Sequence, residues 1–342
     1  MCRSCRARTP GAPWTEIVER RASPSFLTVA EAGSITAKTE SARRNSGSAT
    51  KTEFWDNGAP VNTMRYREIN PNASAARFVK CYWMIEDDAP SASPQRVVPD
   101  GRAQLILNLA HPYEALTKRG WQLQPQCFFI GQITAPLLLR ASGPFRMIGV
   151  NFHPHTASQL LKIPMCELTD TAAVSLDDIS ARLFRKFDRI QELRSPLEWF
   201  PALDHIIPSL AQNRIADDRL LPAALRELEE SGGRIKITAV ADHVGLSSRQ
   251  FERRFTQAVG ITPKLFCRIQ RFQRVFPMLE TGSSRWADAA VQCGYYDQAH
   301  LIRDFRQFAG KPPLALVAKE TDLARHFLQS TMSDFSKTGQ RR

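Results

Sequence analysis

At 342 residues, 43% of them hydrophobic and 23% charged, the chain is long enough for two ordinary domains and reads as globular. Its longest apolar runs, such as Phe128 to Ile130 and Leu137 to Leu139, are far too short to span a bilayer, so no membrane partner is expected. The formal net charge of +12 favours a polyanionic partner without naming one.

In chain order, residues 1–63 are rich in Ser, Thr, Ala, Gly, Pro and Arg and show no apolar period, which predicts a disordered extension. Arg3, Arg6 and Arg8 followed by Pro10, Gly11 and Pro13 do not make a signal peptide, and the expected location is the cytoplasm. Patterned sequence starts at Met64, which is read as an alternative translation start. The seven cysteines, at 2, 5, 81, 127, 166, 267 and 293, are odd in number and scattered. A lone Cys2-x-x-Cys5 has no second pair to complete four zinc ligands. No metal and no cofactor are therefore expected.

Residues 64–153 carry strand signals. Phe78 to Ile85 is aromatic and β-branched, Leu105, Leu107 and Leu109 alternate, and Phe128 to Ile133 and Phe145 to Phe152 follow. Turn chemistry at Pro99-Asp100-Gly101, Lys118-Arg119-Gly120 and Ser142-Gly143-Pro144 separates them and predicts a small barrel or sandwich. From 154 the period becomes helical: Ala157 to Ile163, Ile179 to Leu193, Leu197 to Leu210 and Leu220 to Leu228. Ser231-Gly232-Gly233 breaks the chain and marks the expected domain boundary.

Residues 234–313 hold an internal repeat with an offset of about 50. Gly245 matches Gly294, Phe251 matches Leu301, Arg253 matches Arg303, Phe255 matches Phe305, and Gly260 and Pro263 match Gly310 and Pro313. In each copy a short helix ends on glycine, an apolar plug follows (Leu246, Tyr295), and a polar residue caps a second helix (Ser247, Asp297). That pattern is a helix-turn-helix, whose second helix enters the DNA major groove. The outer faces offer Arg249, Gln250, Glu252 and Arg253 in the first copy, and Gln298, Ala299, Ile302 and Arg303 in the second. Arginine can grip guanine bidentately and glutamine adenine. The bland reading of one copy is a helical hairpin with a solvated basic face.

Between the copies, Pro263 to Leu279 reads as a linking helix with Arg268, Arg271 and Arg274 outside, kinked or shortened at Pro277. It would hold the two second helices so as to read successive major grooves, about 34 Å apart. Thirteen Lys and Arg stand against six Asp and Glu in residues 234–313, so most of the chain's formal charge sits there.

These residues, above all GITPKLFCRIQRFQRVF and CGYYDQAHLIRDFRQFAGKPP, resemble the AraC/XylS family of transcription regulators. The resemblance implies base contacts by Arg249, Glu252, Arg253, Gln298, Ala299, Ile302 and Arg303; Glu252, Ala299 and Ile302 depart from the long polar side chains common there. Tyr296 and Asp297 are read as capping and packing residues. YREINP at 66, VKCYWMIEDDAP at 79, VVPDGRAQLILNL at 97, GQITAPLLL at 131 and IPMCELTD at 163 are similar to the cupin-like sensor region of some members. The expected fold class is α+β: a sensor and dimerisation domain over 64–232, β-rich to 153 and helical after it, a double helix-turn-helix domain over 233–318, and a flexible tail over 319–342. Expected partners are double-stranded DNA, RNA polymerase, a small-molecule effector and a second copy of the chain, paired through the stripes of Leu197 to Leu228 unless those are buried within one subunit.

The rival reading is a cupin-like metal-dependent enzyme or metal sensor fused to the DNA-binding domain. His153 and His155, one residue apart at a strand end, could share a metal, although Pro154 lies between them and His111 is the only other histidine of the β region. Structural histidines are the default. Tyr82, Trp83 and Trp121 are core residues or pocket walls, and Arg96, Asp100 and Arg102 are read as solvated turn charges rather than a ligand grip.

Overall fold

A computed structural model describes residues 64–313 except 172, 212–218 and 281–285. The expected extension, Cys2, Cys5 and the tail concern residues outside that set.

The first region is a two-sheet antiparallel barrel. Its strands are β1 (Arg65–Ile69), β2 (Val79–Asp87), β3 (Gln95–Val97), β4 (Gln104–Asn108), β5 (Tyr113–Thr117), β6 (Gly120–Leu123), β7 (Cys127–Ile130), β8 (Leu137–Ala141), β9 (Phe145–Phe152) and β10 (Val174–Ser175). One sheet runs β1-β2-β9-β4-β7-β10 and the other β3-β8-β5-β6. The unbroken apolar run in β2 has a simple cause: the strand is buried on both faces. Trp83 and Ile85 point between the sheets, with Ile106, Phe128 and Met147. Tyr82 and Met84 point to the helical side, with Leu105, Ile148 and Val150. A strand buried twice cannot alternate in polarity.

Gly149, inside β9, pairs in register with Trp83. A Cβ there would stand 2.0 Å from the indole, so only glycine lets this ring lie across the sheet.

Helices α1 (Thr156–Leu161), α2 (Leu176–Ile179), α3 (Ala181–Asp188) and α4 (Pro196–Ala211) follow the barrel. Phe187, Trp199, Leu203 and Ile207 join the core on the outer face of the larger sheet. Tyr82 stacks on Phe200 and donates its hydroxyl to Asp204 at 2.8 Å; burial, and then this bond, pushes its phenol well above the usual range.

The second region comprises α5 (Leu220–Glu230), α6 (Ile237–His243), α7 (Ser248–Val259), α8 (Pro263–Glu280), α9 (Trp286–Gln292) and α10 (Gln298–Ala309). The layout is α+β. Two expectations change. The linking helix α8 runs through Pro277 rather than ending there. Proline so near a helix C-terminus removes one backbone bond from a segment whose apolar residues Phe272, Val275 and Phe276 are already buried. And Leu221, Ala224, Leu225 and Leu228 of α5 lie in the core of the second region, not of the first. Most apolar residues of the stripes read as a dimer surface pack within one subunit, α4 on the sheet and α5 in the helical core, while Leu197 and Leu220 stay exposed.

The turn at Ser231-Gly232-Gly233 is pinned as well. Arg271 Nη1 donates to the Gly233 carbonyl at 2.7 Å, and Arg274 Nη1 to that of Ser231 at 3.4 Å. Among the described residues no helix is long and apolar enough to cross a membrane.

Candidate nucleic-acid interface

The two repeats become two helix pairs, α6–α7 and α9–α10. Gly245 and Gly294 sit at φ 67° and 84°. This left-handed turn is cheap only for glycine. The next residue closes both turns alike: Leu246 N bonds Ala241 O, and Tyr295 N bonds Ala290 O, each at 2.9 Å. Tyr295 is buried as a plug, and burial raises its phenol's pKa above the ordinary range.

Both second helices are capped as expected. Ser247 Oγ accepts from Gln250 N at 3.3 Å, and Gln250 Oε1 accepts from Ser247 N at 3.1 Å, a reciprocal capping box. Asp297 Oδ1 accepts from His300 N at 2.6 Å. Both helices end on a left-handed glycine, Gly260 and Gly310.

Phe251 and Phe255 in α7, and Leu301, Phe305 and Phe308 in α10, are fully buried anchors. They turn the opposite faces outward. Arg249, Gln250, Glu252 and Arg253 are exposed on α7, and Gln298, Ala299 and Arg303 on α10. Ile302 is only half exposed and packs against the core, and the oxygen of Gln250 is committed to its cap. Arg306 is exposed on α10 as well. The repeat did not single it out, because the matching position of the first copy holds the uncharged Thr256. Tyr296 is 91% exposed, so it is not a packing residue. It is the single residue inserted between plug and cap in the second turn, where the first turn passes directly from Leu246 to Ser247.

The arginines of α8 do not stand outside. Arg268 donates to Asp304 at 2.6 Å and to Gln307 at 2.7 Å, Arg271 holds Gly233, and its guanidinium lies 5.8 Å from the centre of the Tyr295 ring. These long side chains stitch helices together from half-buried positions. An ion pair between Arg303 and Asp304 is not formed, because the buried Asp304 carboxylate faces Arg268. Burial pushes the Cys267 and Cys293 thiols up to about 11, so both pack as neutral groups at neutral pH.

The barrel touches this interface from behind. Arg96 Nη1 donates to the Ala309 carbonyl at 2.8 Å, Thr169 Oγ1 to that of Gly260 at 2.8 Å, and Gln273 Nε2 to that of Pro99. Arg102 is 9% exposed, and Asp100 is half-buried with its pKa raised by burial against the lowering pull of Arg102. The turn charges are therefore not free in solvent: Arg96 and Asp100 are partly buried, Arg102 is buried, and Arg96 is bonded to the second region. Trp121 carries Arg140 over its ring at 4.5 Å.

His153 and His155 stack at 6.4 Å between ring centres, and His153 Nε2 bonds the Ala76 carbonyl at 3.0 Å. Among the described residues no group of three His, Cys, Asp or Glu could hold a metal ion.

A family model described as a helix-turn-helix domain matches residues 240–319, in agreement with the two helix pairs, and one described as a domain of unknown function, DUF6597, matches 67–173. No curated protein matches the chain. Among solved structures, ToxT from Vibrio cholerae O395 is 10% identical, with 76% of this chain and 99% of that chain covered and a TM-score of 0.39. Wild-type ToxT from Vibrio cholerae strain SCE256 bound to an unsaturated fatty acid is 10% identical, covering 74% and 100%, with a TM-score of 0.38. The AraC-like transcriptional activator CuxR is 12% identical, covering 65% and 87%, with a TM-score of 0.24.

Proposed function

We propose that this chain, a DNA-binding transcription regulator whose C-terminal region is a helix-turn-helix domain of the AraC type, reads two successive major grooves with α7 and α10 while its barrel senses a small molecule. One observation carries the reading. Arg253 and Arg303 occupy the same place in the two repeats, both exposed, two residues before a buried phenylalanine, on helices with matching caps. Arg249, Glu252, Gln298 and Ala299 complete the two faces, Ile302 adds apolar surface, and Gln250 contributes through its cap. RNA polymerase and a second copy of the chain belong to the same proposal, with no surface assigned to either. The reading contains no catalytic step.

Selection of bound sites from random DNA tests it, run beside a melting curve for each variant. Arg253→Ala and Arg303→Ala should each cost about 1–3 kcal/mol of operator affinity and relax preference at one base position. Unchanged base preference in both variants would refute the assignment.

A further inference from the structure

Between the two sheets lies a cavity of about 50 Å³, walled by Trp83, Ile106, Leu139 and Met147. One water needs roughly 10–15 Å³ of such space, so the cavity holds several waters or one small molecule. Several of its polar groups are bonded to one another. Asp100 Oδ1 accepts from Arg102 N at 2.9 Å, Gln104 Nε2 donates to Asp100 Oδ2 at 3.3 Å, and Trp83 Nε1 donates to Gln104 Oε1 at 3.2 Å. Asp100 and Arg102 carry opposite charges side by side, which leaves the cavity nearly neutral.

One wall residue comes from elsewhere. Gln273 belongs to α8, the helix between the two helix-turn-helix units, and is 2% exposed. Its amide nitrogen faces the Pro99 carbonyl. A carbonyl can only accept, so the amide cannot be turned round. Its oxygen is then a buried atom without a hydrogen-bond partner, in a residue that lines the cavity. Buried polar atoms are normally satisfied, and each exception asks for a reason.

We infer that the cavity binds a small uncharged molecule joining an apolar ring or chain to one hydroxyl or N–H group, with Gln273 Oε1 as the acceptor for that group. The inference rests on the regulator reading and names the class of molecule the barrel senses. Such a ligand touches the barrel and the linking helix at once. Its affinity then depends on how the two regions sit together, and by linkage DNA and ligand change each other's affinity by the same factor.

Phenol and toluene test this on the full-length protein, because they share a ring and only phenol can donate. Calorimetric titration should show phenol binding at least about tenfold tighter than toluene, the gap expected when a buried acceptor is met rather than left bare. In Gln273→Met the two should bind alike. Equal binding to the wild type, or a phenol preference that survives Gln273→Met, overturns the inference. Should that variant fail to melt cooperatively, Leu139→Phe fills the cavity from the barrel side instead: loss of phenol binding supports the site, and unchanged binding overturns it. Site selection on the unliganded protein runs in parallel. If it fails while phenol discrimination holds, the regulator reading falls and the binding site stands.

Discussion

The two helix-turn-helix units share one plan and differ in what surrounds it. The first presents Arg249, Arg253 and Arg254 on an exposed, strongly charged helix, and a preceding helix, α5, roofs it through Leu221, Leu225 and Leu228. The second presents Ala299 and Ile302 beside Arg303. It is tied to the linking helix by a buried carboxylate, Asp304, where the first unit has the exposed Arg254 at the matching position. The plan is set by glycine turns, caps and aromatic anchors. Charge and burial around it are free to diverge: the first unit turns a strongly charged face outward, and the second a face that includes Ala299 and part of Ile302.

The largest expected effect tests the roof over the first unit. A fragment beginning at Arg234 lacks three buried leucines of α5, each the kind of side chain whose loss costs about 2–5 kcal/mol. It should lose cooperative unfolding, whereas a fragment beginning at Arg219 should keep it. Chemical denaturation of both decides; equal cooperativity would place the unit boundary back at the Ser231 turn.

Next comes the mismatched pair. Asp304→Ala leaves Arg268 half-buried without its carboxylate, hydrogen-bonded to Gln307 alone, and should cost about 3 kcal/mol. Arg254→Ala, at the same place in the first unit, should stay within about 0.5 kcal/mol. Melting of the two variants side by side checks the contrast; similar losses would show that the positions are equivalent after all.

The smallest effect concerns the inserted residue. Tyr296→Ala removes an aromatic ring that touches little of the folded chain, so stability should move by no more than about 0.5 kcal/mol. A larger drop in the melting curve would mean that the longer second turn leans on this ring.

The repeat was legible because its signals are local. Gly245, Ser247 and Phe251 lie within a few positions of one another, and so do Gly294, Asp297 and Leu301. The principal strands were legible for the same reason: β2 and β9 are long, apolar runs. The short strands β3, β5 and β6 were not, because their few residues are held by partners in the other strands of a four-stranded sheet. Arginine periodicity on α8 suggested a solvated face, but a pattern of spacing cannot show that Arg268 meets Asp304 thirty-six residues on. The Ser231-Gly232-Gly233 turn read as a boundary by composition, while membership of α5 in the second core depends on what it packs against. The turn at Pro99 to Arg102 misled for the same reason, since its burial comes from a helix encoded far downstream.

Arg96 gives this last point an electrical form. A helix gathers partial negative charge at its C-terminal carbonyls, and a cation placed there steadies its final turn. For α10 that cation is supplied from a position 213 residues earlier in the chain. The matching end of α7 receives a neutral hydroxyl from Thr169 instead. The two contacts are thus unequal: parting the barrel from the helices would take a charge from the end of α10 and only a dipole from the end of α7.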